Sequence, residues 1–582
     1  MPFSSLVDSL MSDTLGVSLP LFATELAICA TIVLLLLSRL MNLDQRIPGS
    51  VLALAGSIAG LGLAVMQHMQ FSQEANLVGQ SVQLFTGLLV YDQFTVYFRI
   101  FLMLFLVLVV YLTMLSGIPD REDAPDFYVL LLGSTLGMLL MASANNLLIV
   151  FLAIEMTSVP SYAMVGFLKG RRQSSEAALK YVVYGAGAAG VMLYGISLLS
   201  GLLGTANLPE LAQQLTLLVG SDRVLDQPAL WTLSLAILMV LVGVAFKLSI
   251  VPFHFWCPDA FEGASAEVAG YLSVASKGAA FALLVRFCLA MTGSSVPAGD
   301  LQSLFVHLGF GIGIIAAISA TFGNLAAYTQ TNIKRMLAYS TIAHAGYMLM
   351  AVAALLVILG SPNAPNGEAQ RAEHAIRAVS GLLYYLVVYL FMNLGAFAIV
   401  AIIRNQTFSE QIDDYSGLVR QSPALAVCML ACMFSLIGMP PLGGFVGKVM
   451  VFASVFKSTE YYWPMWFILS AGVLNTVFSL IYYVNVLNYM FFKPPREHLE
   501  PVNVPMGSAY GRYALLVTLP VFLLGVMVNR IDDLTTSASA SLKSLSAPVV
   551  ATRVDADPPR QAAQVVPSIP APVEAASQSS GG

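Results

Sequence analysis

Apolar runs long enough to cross a lipid bilayer follow one another along almost the whole chain, and this constrains its fold more than any motif does. A spanning helix takes about 20 mostly apolar residues, and by that rule about fourteen segments can be drawn. They cover 20–41, 48–67, 93–118, 127–143, 146–168, 174–203, 229–255, 264–291, 301–325, 331–359, 376–404, 422–456, 461–492 and 511–530. Within lipid every backbone N–H and C=O must be bonded inside the protein, and runs of this length satisfy that as helices. The expected fold class is therefore an all-α polytopic membrane protein. Only 10% of residues are charged, against roughly 25% in soluble domains, which excludes a soluble enzyme. The net charge is −5 and the cations lie mainly in short loops, so lipid and no nucleic acid is the expected surrounding.

Loop cations set the expected orientation, because Lys and Arg are retained on the cytoplasmic side. An outer N-terminus places Arg39, Arg46, Arg121, Lys169, Arg171, Arg172, Lys334, Arg335, Arg404, Arg420, Lys493, Arg496 and Arg512 inside. Only Arg223, Arg371, Arg377 and Lys457 then lie outside, and an even helix count puts both termini outside. The first nineteen residues lack Lys and Arg, so the first apolar run reads as a membrane helix and not a signal peptide. Between the second and third spans, QFSQEANLVGQSVQLFTGLLVYDQ alternates polar and apolar residues and suits a surface strand pair. Beyond Arg530 the Ser-, Ala- and Pro-rich tail is expected to be disordered.

Charges inside apolar runs call for a function, since each costs a few kcal/mol to insert. Glu155, Lys247, Lys277 and Lys448 lie in the fifth, seventh, eighth and twelfth spans. Pro252, and Pro440-Pro441 with Gly438, Gly443, Gly444 and Gly447, should break the seventh and twelfth helices, because proline removes a backbone donor. Lys247 should face its break, with Glu155 as its counter-charge. Burial favours a neutral amine and a carboxylate favours the ammonium, so separating the two would release a proton. Lys277, between Ser276 and Gly278, has room for water and no evident counter-ion. His344 reads equally as a relay or as a hydrogen-bonded core residue. Lys180 reads equally as an interfacial anchor or as an entry-side relay. Lys334, Arg335 and Arg286, near helix ends, read as snorkelling anchors, although Lys334 could also help admit protons. The five cysteines show no ligand spacing; Cys428 and Cys432, four apart on an apolar helix, are packing residues. No metal or cofactor is expected in this chain.

A weak internal repeat relates Phe246, Leu248 and Pro252 to Phe434, Leu436 and Pro440 at one constant offset, which also carries Glu155 to within one residue of His344. Two related bundles follow, helices four to eight (127–291) and nine to thirteen (301–492). They are preceded by helices one to three with the hairpin (1–126), and followed by helix fourteen (511–530) and the tail (531–582).

FKLSIVPFHFWCPDAFEGAS, NIKRMLAYSTIAHAGY, MNLGAF and GMPPLGGFVGK together resemble the antiporter-like, proton-conducting membrane subunits of respiratory complex I, most closely the subunit N branch of NADH–quinone oxidoreductase. The resemblance covers about residues 20–530. It implies fourteen helices in two inverted five-helix repeats with broken helices seven and twelve, and a bacterial inner membrane. Glu155, Lys247 and Lys277 match the family's fifth-, seventh- and eighth-helix charges. Lys448 matches a twelfth-helix Lys that subunit M replaces by Glu, and no long lateral helix follows, unlike subunit L. NADH, FMN, iron–sulfur clusters and quinone are then expected in other subunits, with sister antiporter-like subunits among the partners. The family's PDVYxGAPxP is changed here to Pro258-Asp259-Ala260-Phe261 and Ala264-Ser265-Ala266-Glu267, and Glu267 is expected at the cytoplasmic rim. A Na⁺/H⁺ antiporter or membrane-bound hydrogenase subunit is the alternative reading. A non-conducting spacer is a third, which unpaired Lys277 opposes.

Overall fold

The computed structural model describes residues 3–73, 81–120, 123–219, 227–292, 300–361, 367–496 and 501–542. Arg121, Arg223 and the tail beyond 542 lie outside the described residues. Helix α1 (Phe3–Asp13) runs through a π-helical turn and α2 (Leu19–Leu21) to α3 (Ala23–Leu40) and α4 (Gly49–Gln73). The polar stretch that follows holds strands β1 (Val82–Leu84) and β2 (Leu89–Tyr91), paired antiparallel. Then come α5 (Gln93–Ser116), α6 (Ala124–Ser143), α7 (Leu147–Val165), α8 (Arg172–Leu203), α9 (Leu208–Val219) and α10 (Gln227–Leu248). They are followed by α11 (Trp256–Gly263), α12 (Ala266–Thr292), α13 (Asp300–Ala327), α14 (Ile333–Gly360) and α15 (Glu368–Thr407). The chain ends in α16 (Leu418–Gln421), α17 (Pro423–Ile437), α18 (Gly443–Ser458), α19 (Met465–Phe492), α20 (Ala509–Val526) and α21 (Val528–Ser541).

Thirteen of these helices are long and apolar enough to cross a membrane. The expected twelfth span, 422–456, is instead the pair α17 and α18, each too short to cross alone. Ends are set by local chemistry. Asp92, Asn146 and Asn332 accept backbone N–H bonds at the starts of α5, α7 and α14, and Gly117, Gly204 and Gly438 turn left-handed at the ends of α5, α8 and α17.

Helices α12, α14 and α15 form the centre. About nine-tenths of each is buried, whereas α3, α4, α8 and α19 turn most of their apolar surface outward. A helix apolar all round belongs inside a bundle. Small residues bring the neighbours close: a Cβ on Gly346 would come within 2.7 Å of the α13 backbone at Ala316, and one on Gly323 within 2.7 Å of Ala343.

Helical bonding stops at Leu248 and resumes at Trp256, around Pro252; it stops again at Ile437 and resumes at Gly443, around Pro440 and Pro441. The freed backbone groups find partners. Trp256 Nε1 donates to Phe246 O (3.0 Å), Val251 N to Ser319 Oγ (3.0 Å) and Gly444 N to Ser435 Oγ (3.1 Å).

The chain beyond Arg530 departs from the expected disorder as far as Ser541. Helix α21 packs against α15 and α5: Asp532 pairs with Arg377 (2.9 Å), Ser380 meets Thr535 (2.8 Å), and Ser541 Oγ accepts from Phe94 N (3.3 Å). Ile531, Leu534, Ala538 and Leu542 supply a helical apolar stripe that average composition hides.

Candidate functional site

The fold gathers the sequence-predicted groups on the helices around its centre. Lys247, in the last turn of α10, is buried and donates to Ser158 Oγ (3.0 Å) on α7. Glu155, half-buried one turn earlier on α7, makes no ion pair within 4.0 Å among the described residues. Lys247 thus docks on the hydroxyl one turn from Glu155, and its expected counter-charge acts on it through space and not in contact. Ser158 Oγ spends its own proton on Ile154 O (2.6 Å), which leaves its lone pairs for the amine.

Lys277, mid-way along α12, is buried, and its Nζ lies 3.3 Å from Thr341 O on α14. One turn along α14 is His344, whose Nδ1 and Nε2 meet the hydroxyls of Tyr385 (2.6 Å) and Tyr483 (3.2 Å). Tyr483 OH is also bonded to Ser340 Oγ. His344 is therefore hydrogen-bonded on both ring nitrogens and surrounded by the rings of Tyr347, Tyr385 and Tyr389. These tyrosines escaped the sequence reading because a tyrosine in an apolar helix ordinarily reads as core.

Lys448, on α18, donates to Leu436 O (3.0 Å) and Ile437 O (2.8 Å), carbonyls of the last turn of α17. Its Nζ also lies 4.7 Å from the centre of the Tyr347 ring. A helix C-terminus carries partial negative charge and unpaired carbonyls, so the interruption itself provides the counter-charge. Gly438 allows this approach with φ +92°, a left-handed conformation suited to glycine.

Lys180 lies apart from this group. Its side chain is 42% exposed and pairs with Glu176 (3.0 Å) and Asp259 (2.8 Å). Asp259 also binds Arg335 (2.7 Å), which reaches Glu262 (2.6 Å). Burial would raise the Asp259 carboxyl, but hydrogen bonds from Lys180 and Arg335 outweigh it and hold the group below its ordinary range.

Several charges read as snorkelling anchors or rim groups are inside the protein. Arg286, 2% exposed, makes a forked contact with Asp92 (2.8 and 2.9 Å) and donates to Thr95 Oγ1 and Ala142 O. Lys334 is buried against Glu410 (2.9 Å) and Ala264 O (2.6 Å). Arg335, by contrast, stays 30% exposed, within the network above. Glu267 is buried in the first turn of α12, where one of its oxygens has no hydrogen-bond partner. A further pair was missed: Glu25 on α3 and Arg99 on α5 meet at 2.8 Å in the interior, with Gln67 of α4 on the guanidinium. Among the described residues no three His, Cys, Asp or Glu gather to hold a metal, and the five cysteines are free.

Fold and site together define a polytopic helical membrane protein that buries three lysines and an imidazole within its bundle. Residues 144–359 and 370–479 match the family profile described as NADH:quinone oxidoreductase/Mrp antiporter, TM. NADH-quinone oxidoreductase subunit N of Anaeromyxobacter sp. (strain Fw109-5) is 39% identical over 75% of this chain and 82% of its own. The subunit N of Chlorobium chlorochromatii (strain CaD3) is 35% identical over 86% and 90%. Among solved structures, a chain of respiratory complex I from Thermus thermophilus with bound aureothin is 27% identical, with a TM-score of 0.66, over 88% of this chain and 98% of that one. A chain of the Mrp complex from Dietzia sp. DQ12-45-1b shares the fold at 17% identity, with a TM-score of 0.72 over 90% and 99%. The chain belongs to the NADH-quinone oxidoreductase subunit N family.

Proposed function

We propose that this chain is the proton-translocating subunit N of a bacterial NADH–quinone oxidoreductase, set in the inner membrane with both termini on the periplasmic side. Redox chemistry with NADH, FMN, iron–sulfur clusters and quinone belongs to other subunits. Here electron transfer is felt as a displacement of charge along the membrane arm, beside sister antiporter-like subunits.

Moving charge away from the Glu155 carboxylate leaves Lys247 with only a neutral hydroxyl, which lowers its hold on a proton. The proton passes to Lys277, then past His344 and the surrounding tyrosines to Lys448 and the outer side. Each unit of pKa along this line is worth about 1.4 kcal/mol. Lys180 and its acidic neighbours sit on the entry side. We read α10–α11 and α17–α18 as the two broken helices of a pair of inverted repeats.

One observation carries the reading: among the described residues Lys277 is buried at the centre of α12 with a backbone carbonyl, and no carboxylate, as its partner. A permanently ionised structural lysine would be expected to hold a counter-ion. The test is Lys277→Ala in the assembled complex, with protons moved per electron measured in proteoliposomes. The ratio should fall, and an unchanged ratio would overturn the assignment.

A further inference from the structure

Asn324, near the end of α13, and Asn475, on α19, are amides in apolar helices, and the relay described above gives neither a role. Each is at most 1% exposed. Asn324 Nδ2 donates to Tyr347 OH on α14 (3.1 Å) and to Asn475 O and Oδ1 (3.0 and 3.3 Å), while Asn324 Oδ1 accepts from Tyr482 OH on α19 (3.1 Å). Asn475 Nδ2 donates in turn to Thr321 Oγ1 (2.8 Å), one turn before Asn324 on α13, and to Ala471 O (2.9 Å). Amides that bond across helices in an apolar bundle fix how those helices pack. Here α13, α14 and α19 meet on one side chain.

Tyr347 is the point at which this clasp reaches a charge. Its hydroxyl is held by Asn324, and the centre of its ring lies 4.7 Å from Lys448 Nζ. Phe452, one turn beyond Lys448 on α18, meets the same ring at 77° with centres 6.2 Å apart. Gly472 on α19 makes room for Phe452, since a Cβ there would come within 2.7 Å of its ring. An aromatic face carries partial negative charge and attracts an ammonium only while the cation stays over it. Tying down the hydroxyl fixes where that face lies.

We propose that Tyr347 is a direct partner of the Lys448 ammonium, and that Asn324 and Asn475 are positioning residues, a carboxamide clasp between α13 and α19 that holds the ring toward the amine. The proposal rests on the relay reading, in which Lys448 carries the proton last. The carbonyls of Leu436 and Ile437 are fixed by the end of α17. The ring contact is different, because it depends on how α13 packs on α19.

Fluorination tests the ring with little change of shape, since each fluorine draws electron density off the face. Tyr347→Phe is the reference, and mono-, di- and trifluorinated phenylalanines are placed at the same position in the assembled complex. The rate of proton pumping in proteoliposomes at saturating NADH should fall stepwise along the series, by about fivefold at its end. A side chain that only fills space would give one rate throughout, and that result overturns the ring contact. Asn324→Leu, or Asn324→Ala where the leucine variant does not assemble, should also slow pumping. Combining it with Tyr347→Phe should add little, because the Tyr347 hydroxyl is the link between the two. Fully additive losses overturn the clasp. Pumping at the normal rate in Lys448→Ala overturns the relay beneath both.

Discussion

Lys247 Nζ rests 3.0 Å from Ser158 Oγ, one helical turn from Glu155, so the carboxylate can change its influence on the amine with no contact ion pair to break. Breaking a buried contact pair costs several kcal/mol, too much for a step that must run both ways in every turnover. A carboxylate acting through space, with a hydroxyl holding the amine in place, needs far less.

Glu155→Gln should therefore leave the complex assembled, since Lys247 keeps Ser158, while pumping falls about tenfold or more. Ser158→Ala should cost stability by about 1 kcal/mol and change pumping less. Proton-to-electron ratios in both variants check this; equal loss in the two contradicts it.

Lys448→Glu looks mild if only the ability to hold a proton matters. The structure argues the opposite, because a carboxylate would face Leu436 O and Ile437 O at the end of α17. Lys448→Glu should reduce both thermal stability and pumping, whereas Lys448→Arg, which keeps donors at that helix end, should retain more stability. Melting of the purified complex and its pumping ratio decide between them.

Arg286→Met should be severe, roughly 3–5 kcal/mol, because it leaves Asp92 buried and unpaired. Arg286→Met with Asp92→Leu should recover part of that loss. The amount of assembled complex in membranes reads this out; a double variant no better than the single one contradicts it.

What the sequence allowed, and what it withheld, follows from the range of each interaction. Spans were legible because hydropathy is local, and Lys247, Lys277 and Lys448 stood out because each interrupts an apolar run. Arg286 did not, since its partner Asp92 lies 194 residues away and a cation near a helix end looks alike whether it points outward or inward. Lys334 failed for the same reason. Glu25 and Arg99 pair across 74 residues, and nothing local to either announces the other. Of the polar groups around His344, Tyr385 and Tyr483 arrive from separate helices, and no spacing in one segment announces them.

Helix α21 gives a truncation test. Ending the chain after Leu542 should leave assembly intact, because the contacts to Arg377, Ser380 and Phe94 remain. Ending it after Arg530 removes them and should lower the yield of assembled complex severalfold, the scale on which about 1–2 kcal/mol of lost stability acts in cells. Immunoblotting of membrane fractions compares the two; equal yields contradict a packing role for α21.

Proton transfer here requires hydrogen ions to move through hydrated gaps between buried amines. A cryo-EM map of the working complex at a resolution that shows ordered water tests this most directly. Waters should join Lys247 to Lys277 and Lys277 to His344 and Lys448 in at least one state of the cycle. Dry apolar packing between these side chains in every state would contradict it.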